Sequence, residues 1–301
     1  MRFIIMVKID TACIPCIITV RTRELHELPI TEQKKFLILR HILKYLASYV
    51  NAEANITRLA TQTFRILKEL SGYRDPYAKE KEKANRIALS FVKKIKKELT
   101  TYEVREKLRF LIKLAVLGNA LDFGVAGYKY DIDKILAEIN TMNIHIDDTK
   151  ILIQMIMGSR KIVYLLDNAG EAVFDKLLVD ELANLGKKVI VVVKSGSFQN
   201  DITYEEALKL GFHRKAMLIE TGSDSSSIFP EETCSKVLNE ISSADVVIAK
   251  GMAHYEHLTT ERIIRKPVAY LLKAKCEVIA RDLSVPVGSY IVKVGNEPGS
   301  C

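Results

Sequence analysis

The sequence predicts an α/β protein: an all-helical N-terminal domain over 1–158 and a mostly parallel, Rossmann-like three-layer α/β/α domain over 159–298. Three observations predict it. Apolar residues recur at helical spacing from about 31 to 157, continuous apolar runs bounded by charge begin at Lys161, and those runs alternate with helical segments thereafter. Such alternation gives a mostly parallel sheet with helices on both faces.

Taken in order, Thr31 caps a segment in which Phe36, Leu39, Leu43, Leu46 and Val50 mark the expected core face. A second helix covers 56–70 and stops at Ser71-Gly72. A charged helix follows Pro76 towards Leu99, the next passes through Val104, Leu108, Ile112 and Val116, and two more cover 132–139 and 150–157. No strand is expected in this half. The second half reads as strands over 162–166, 189–193, 216–219, 246–249, 268–272 and 290–294. Helices over 173–183, 231–241 and 276–283 lie between them, with a short one opened by a capping box at Thr203-Tyr204-Glu205-Glu206 and ended at Gly211. There is no internal repeat and no low-complexity linker.

Of the 301 residues, 48% are hydrophobic and 27% charged, the balance of a soluble globular chain. No uncharged apolar run approaches the roughly 18 residues of a membrane span. The first residues lack the apolar region and cleavage site of a signal peptide, so a cytoplasmic protein is expected. The net charge of +8 does not point to nucleic acid. Its lysines alternate with glutamates, as in Ala78-Lys79-Glu80-Lys81-Glu82-Lys83, which gives a solvated, ion-paired helix face. Neither a nucleic acid nor a membrane is an expected partner.

Ligands of such sheets bind beyond the carboxyl ends of the strands, so the residue following each strand is the informative one. Asp167-Asn168-Ala169-Gly170-Glu171 follows the first apolar run, Lys194 and then Asn200-Asp201 the second, Lys250-Gly251 the fourth, and Lys273 the fifth. Each could be a turn or a cap taken singly. Together they place carboxylates and amides, hard oxygen ligands for Mg²⁺ or Mn²⁺, beside lysines that suit phosphate oxygens. Gly-x-Gly-x-x-Gly and the P-loop are absent, which counts against a dinucleotide oxidoreductase and a P-loop NTPase.

Cys13-Ile14-Pro15-Cys16 stands apart from that pattern. It lacks the strand-then-helix setting of a redox pair and is two ligands short of a structural zinc site, with Cys276 the best candidate for a third thiol. Cys234 reads as a small buried residue on a helix, and His257 as a surface residue.

The motifs Asp167-Asn168-Ala169-Gly170-Glu171, Asn200-Asp201-Ile202-Thr203, Lys250-Gly251-Met252-Ala253-His254-Tyr255-Glu256 and Lys273-Ala274-Lys275-Cys276-Glu277 resemble the damage-control phosphatase family, also called domain of unknown function 89. Cys13-x-x-Cys16 is similar to the mark of its cysteine-containing subfamily. The resemblance spans nearly the whole chain. It implies a phosphatase dependent on a divalent metal (Mn²⁺, Ni²⁺, Co²⁺ or Mg²⁺) that hydrolyses phosphate monoesters of small metabolites, such as sugar phosphates or damaged phosphometabolites. By motif match, Asp167, Asn168 and Asp201 hold the metal, Asp167 and Lys250 are catalytic, and Lys250 and Lys273 hold the phosphoryl group. Glu171, Asn200, Gly251, His254 and Glu256 line the substrate pocket. His254 is a departure, because the family loop usually carries asparagine there. A water held by the metal is the expected nucleophile. The rival expectations are a non-catalytic nucleotide- or phosphometabolite-binding module and a thiol-based metal or redox sensor built on Cys13, Cys16 and Cys276.

Overall fold

The computed structural model describes residues 7–119 and 132–295; the readings made on the first six residues and on the tail beyond 295 lie outside these. Six helices come first: α1 (Cys13–Glu27), α2 (Glu32–Tyr49), α3 (Ile56–Ser71), α4 (Ala78–Glu98), α5 (Val104–Gly118) and α6 (Ile132–Thr141). Strand β1 (Ile144–Asp147) and helix α7 (Thr149–Gly158) lead into β2 (Lys161–Leu165), α8 (Glu171–Asn184), β3 (Lys188–Val193), α9 (Tyr204–Leu210) and β4 (Met217–Glu220). Then come α10 (Ser235–Ser242), β5 (Val246–Lys250), α11 (Gly251–Glu261), β6 (Val268–Lys273), α12 (Glu277–Leu283) and β7 (Tyr290–Gly295).

Local chemistry sets many of these boundaries. The Asn55 side chain accepts hydrogen bonds from the Thr57 and Arg58 amides to start α3, and Gly72, at φ 83°, ends it in the left-handed region. Glu206 accepts from the Thr203 amide at 2.8 Å, so the expected capping box opens α9. Runs such as Val189-Ile190-Val191-Val192-Val193 are buried on both faces, which β-branched side chains tolerate in a sheet covered by helices.

The seven strands form one sheet in the order β1-β7-β6-β5-β2-β3-β4. Strands β6, β5, β2, β3 and β4 are parallel; β7 runs antiparallel to β6, and β1 pairs parallel with β7. From β2 the chain winds outward through β3 to β4, then crosses back to β5 on the other side of β2. The switch point therefore lies between the carboxyl ends of β2 and β5, where a crevice opens.

Four sequence expectations need correction. The stretch before 158 is not strand-free, because 144–147 adds a short edge strand. Its four residues are too few for alternation to stand out, and pairing with the chain's last strand creates it. On α2 the buried residues are Ile38, Ile42 and Leu46, while Phe36 is 70% exposed and Leu43 44%. The apolar band of α2 is broader than the contact it makes, so periodicity alone put its centre in the wrong place. The segment after Lys250 is helix, not loop. The boundary at 158 also falls within continuous packing. One buried cluster joins Phe91, Leu108, Leu111 and Ile156 to Tyr164, Phe174 and Val191 of the sheet layer. Helices α1–α3 build a separate core around Ile38, Ile42, Phe64 and Leu67, which Tyr77 and Phe198 join.

Candidate active site

Strand β2 delivers Asp167 and Asn168 to the crevice, and β5 delivers Lys250 and Gly251. The 197–201 segment reaches across, with Asn168 and Asp201 bridged as in an antiparallel ladder. The Ile202 amide donates to the Asp167 carbonyl at 2.9 Å, and the Ala169 amide to the Asn200 carbonyl at 2.9 Å. Backbone pairing thus brings the two aspartates together although 33 residues of sequence separate them.

Asp167 Oδ2 accepts from Asn168 Nδ2 at 2.8 Å and from Asn119 Nδ2 at 2.9 Å. Asn119 Nδ2 also donates to Glu171 Oε2 at 2.9 Å, and Asn119 Oδ1 accepts the Lys273 amide at 3.1 Å. Gly251 begins α11 at φ 79°, and a Cβ there would stand 1.9 Å from Asp167 Oδ2. Only glycine allows the backbone this close to the carboxylate. Helices α8 and α11 both start at the crevice, so the positive ends of two peptide dipoles face it.

The carboxylates carry more negative charge than their surroundings neutralise. Burial, then the charges of Asp201 and Glu171, hold the Asp167 carboxyl well above the usual carboxylate range. Burial pushes Asp201 up to about 6, against the pull of Lys194. Lys194 Nζ lies 3.0 Å from Asp201 Oδ2 without hydrogen-bond alignment, so that buried oxygen keeps its acceptor capacity. Two carboxylates and the Asn168 amide form a hard-oxygen donor set, and a divalent cation would relieve their repulsion. Among the described residues no three His, Cys, Asp or Glu side chains converge as a metal cage. The set fits an ion that keeps further positions for water or substrate oxygens, as Mg²⁺ and Mn²⁺ do.

Lys250 sits differently from its expected role. Its ammonium is fully buried and donates to the Ala115 carbonyl at 2.7 Å, to Glu171 Oε1 at 3.2 Å and to Asp175, whose Oδ1 is 2.9 Å away. Three partners use its three protons, so Lys250 braces Glu171 from below instead of meeting a phosphoryl group. Burial pulls its pKa down, and Asp175 with Glu171 more than reverse this, so it stays charged. Burial lifts Asp175 to about 6, and Tyr164 donates to it at 2.7 Å.

His254 also departs from its expected place in the pocket wall. Its Nδ1 lies 2.9 Å from Ser227 Oγ and its Nε2 3.3 Å from the Leu166 carbonyl, so both ring nitrogens are engaged within the protein. Burial, then Lys194, push it down to about 3, which keeps the ring neutral. Lys273 is half-buried, with its ammonium 5.3 Å from the centre of the Tyr290 ring. His257 is fully buried against Thr57 and Phe229, not on the surface.

Glu256 lies within electrostatic reach of the thiols. Burial pushes Cys13 and Cys276 up, and the charge of Glu256 adds to both rises. Cys276 stands within electrostatic reach of Cys13 and Cys16, and Asp10, just before α1, pairs with Arg281 in the last turn of α12 at 2.6 Å. Cys234 caps α10 instead of sitting on the helix.

Sequence reasoning missed Asn119, Asp175 and the contact of Lys194 with Asp201. A signal existed for two of them. Asp175 lies one turn beyond Glu171 in the apolar first half of α8, which puts both acids on one face. Gly118-Asn119 closes the apolar helix α5, and a Cβ at 118 would come within 3.2 Å of Glu171 Cβ.

Fold and site together define a doubly wound α/β protein with a carboxylate–amide centre at its switch point, closed on one side by helices from the first half of the chain. The chain belongs to the family described as the damage-control phosphatase ARMT1-like domain, which matches residues 9–291. It is 35% identical over 289 residues to an uncharacterized protein of Methanocaldococcus jannaschii, covering 95% of each. It is 31% identical over 294 residues to a damage-control phosphatase of Archaeoglobus fulgidus, covering 95% of this chain and 99% of that one. The crystal structure of a DUF89 family protein from Pyrococcus horikoshii shares the fold with a TM-score of 0.85 at 26% identity, covering 95% of this chain and 98% of that one. No helix among the described residues is long and apolar enough to cross a membrane.

Proposed function

We propose that this protein is a divalent-metal-dependent phosphomonoester hydrolase acting on small phosphorylated metabolites, with a role in removing damaged or unwanted ones. The convergence of two buried carboxylates, Asp167 and Asp201, with the Asn168 amide at the switch point carries this reading. The naming of the Archaeoglobus fulgidus relative supports the phosphatase part.

Asp167, Asn168 and Asp201 would hold the cation, which when bound supplies charge to offset that developing on the phosphoryl oxygens. The chain's own residues do the positioning. Asn119 fixes Asp167 and Glu171 in one orientation through a single amide. Lys250, itself held by Asp175 and the Ala115 carbonyl, holds Glu171 from beneath. The start of α11 turns the positive end of its peptide dipole to an anion in the crevice, and Lys273 adds a cation at its edge. The nucleophile we assign is water, because Asp167 Oδ2 already accepts two amide protons. Glu171, tied to Asn119 and Lys250, keeps its carboxylate in a fixed orientation at the start of α8.

The test is hydrolysis of p-nitrophenyl phosphate and a panel of phosphometabolites with Mn²⁺, Co²⁺, Ni²⁺ or Mg²⁺, compared with chelator. Turnover is expected with metal and not with chelator, and Asp167→Ala should lose nearly all of it while remaining folded. Undiminished turnover in a fully metal-stripped sample would overturn the metal assignment. Binding without turnover across the panel would favour a phosphometabolite-binding module.

A further inference from the structure

The segment that carries Asp201 is held mainly by the first half of the chain, and the hold ends in a buried charge cluster that catalysis does not use. The Ser197 carbonyl accepts from Lys68 Nζ at 2.7 Å, and the Ser197 hydroxyl donates to the Arg74 carbonyl. Phe198 is 4% exposed and meets the Phe64 ring edge-on at 5.5 Å, inside the α1–α3 core. Lys81, fully buried, pairs with Asp75 at 2.6 Å and Glu206 at 2.9 Å, and its ammonium is 3.5 Å from the Asp201 carbonyl.

Gln199 is the least ordinary member. It adopts φ 45°, a conformation that residues with a Cβ rarely take and keep only where their surroundings hold it. Its Nε2 donates to Glu24 Oε1 at 3.1 Å. The same oxygen accepts from the Tyr77 hydroxyl at 2.7 Å, and Glu24 Oε2 takes Arg21 Nη1 at 2.5 Å. Arg21 and Glu24 are 2% and 4% exposed, with the guanidinium 4.8 Å from the centre of the Phe64 ring. A buried ion pair is seldom more stabilising than the apolar packing that could replace it. What this pair does that apolar packing could not is present a fixed carboxylate oxygen to Gln199.

We propose that Glu24 and Gln199 form a positioning pair that locks the 197–201 segment and so holds Asp201 against Asp167 and Asn168. Neither residue touches substrate or metal. The role of Asp201 in this inference rests on the function proposed above, but the lock itself does not. With the anchor removed, residue 199 is free to relax to negative φ, and the peptide leading into Asn200-Asp201 turns with it.

The test uses the full chain as Gln199→Ala, Gln199→Glu and the exchanged pair Glu24→Gln/Gln199→Glu. Three quantities are read: amide hydrogen exchange over 198–202, Mn²⁺ affinity by calorimetry, and Mn²⁺-supported hydrolysis of p-nitrophenyl phosphate. Gln199→Ala should lose exchange protection in this segment and weaken Mn²⁺ binding by about 10-fold, as loss of a supporting hydrogen bond behind a metal ligand does. Gln199→Glu, which sets one carboxylate against another, should be worse. The exchanged pair keeps the cluster's net charge and should recover most of the loss, a rescue that a merely destabilised fold would not show. The proposal falls if Gln199→Ala protects 198–202 as the wild type does, or if the exchanged pair is no better than Gln199→Glu. Should the wild type neither bind Mn²⁺ nor turn over, the function proposed above fails, and the exchange measurement still decides for or against the lock.

Discussion

Replacing Gly251 with alanine tests whether the close approach of α11 to Asp167 is what fixes that carboxylate. Two terms separate cleanly. The backbone term comes from φ 79°, where a Cβ costs about 1–2 kcal/mol. The contact term comes from a Cβ placed 1.9 Å from Asp167 Oδ2 and 2.4 Å from its Cγ. Reaching even the shortest tolerated contact moves Asp167 or the α11 start by about 1 Å, and a misplacement of that size is worth about 100-fold in rate. Gly72 is the control: it has φ 83° and nothing within 4 Å of its added Cβ, so Gly72→Ala carries the backbone term alone. Both variants should melt a few degrees below the wild type by circular dichroism. Only Gly251→Ala should also lose about 100-fold in Mn²⁺-supported p-nitrophenyl phosphate hydrolysis. Equal activity in the two variants would refute the reasoning.

Two further outcomes follow from buried charge. Lys250→Met leaves Glu171 and Asp175 buried without their cation, so the urea midpoint should fall by the equivalent of about 3–5 kcal/mol; a change below about 1 kcal/mol would mean that the ammonium is not the brace described. Glu256 is lifted by burial from 4.5 to about 7, so the folded chain holds its proton where the unfolded chain has lost it. Its contribution to stability therefore declines as pH rises from about 4.5 to about 7. Glu256→Gln should be more stable than wild type at pH 8, by on the order of 2 kcal/mol, and show no such gain at pH 4. A difference that is the same at both pH values would count against the assignment.

The central strands of the second half were the most legible, because burial on both faces demands continuous apolar runs. That is why β2 and β5 could be read and β1 could not. The polar residue after each strand then pointed to the crevice without any knowledge of strand order, since every parallel strand ends on the same edge. Contacts were another matter. Lys250 and Lys273 look alike in the sequence, both lysines closing an apolar strand. One is sealed beneath Glu171 and the other is half-buried beside Tyr290, a difference set by α5, which supplies the Ala115 carbonyl. His254 and His257 likewise lie one turn apart on a helix that the glycine before it disguised as a loop.

The helical half is part of the site rather than a neighbour of it. Asn119, from the end of α5, is bonded at once to Asp167, Glu171 and the backbone of Lys273, so one side chain ties the end of β2, the start of α8 and the end of β6 together. Removing α4, α5 and α7 would strip the sheet of the side chains that seal one of its faces and would leave Lys250 short of a partner. The α1–α3 unit packs by itself, yet it grips the Asp201 segment through Phe64, Lys68 and Glu24. A sheet alone can bring Asp167 and Lys250 to its switch point, but it cannot orient them. Orientation needs groups arriving from outside the sheet plane, and here Asn119 and the Ala115 carbonyl join Glu171 and Asp175 of α8 in supplying them.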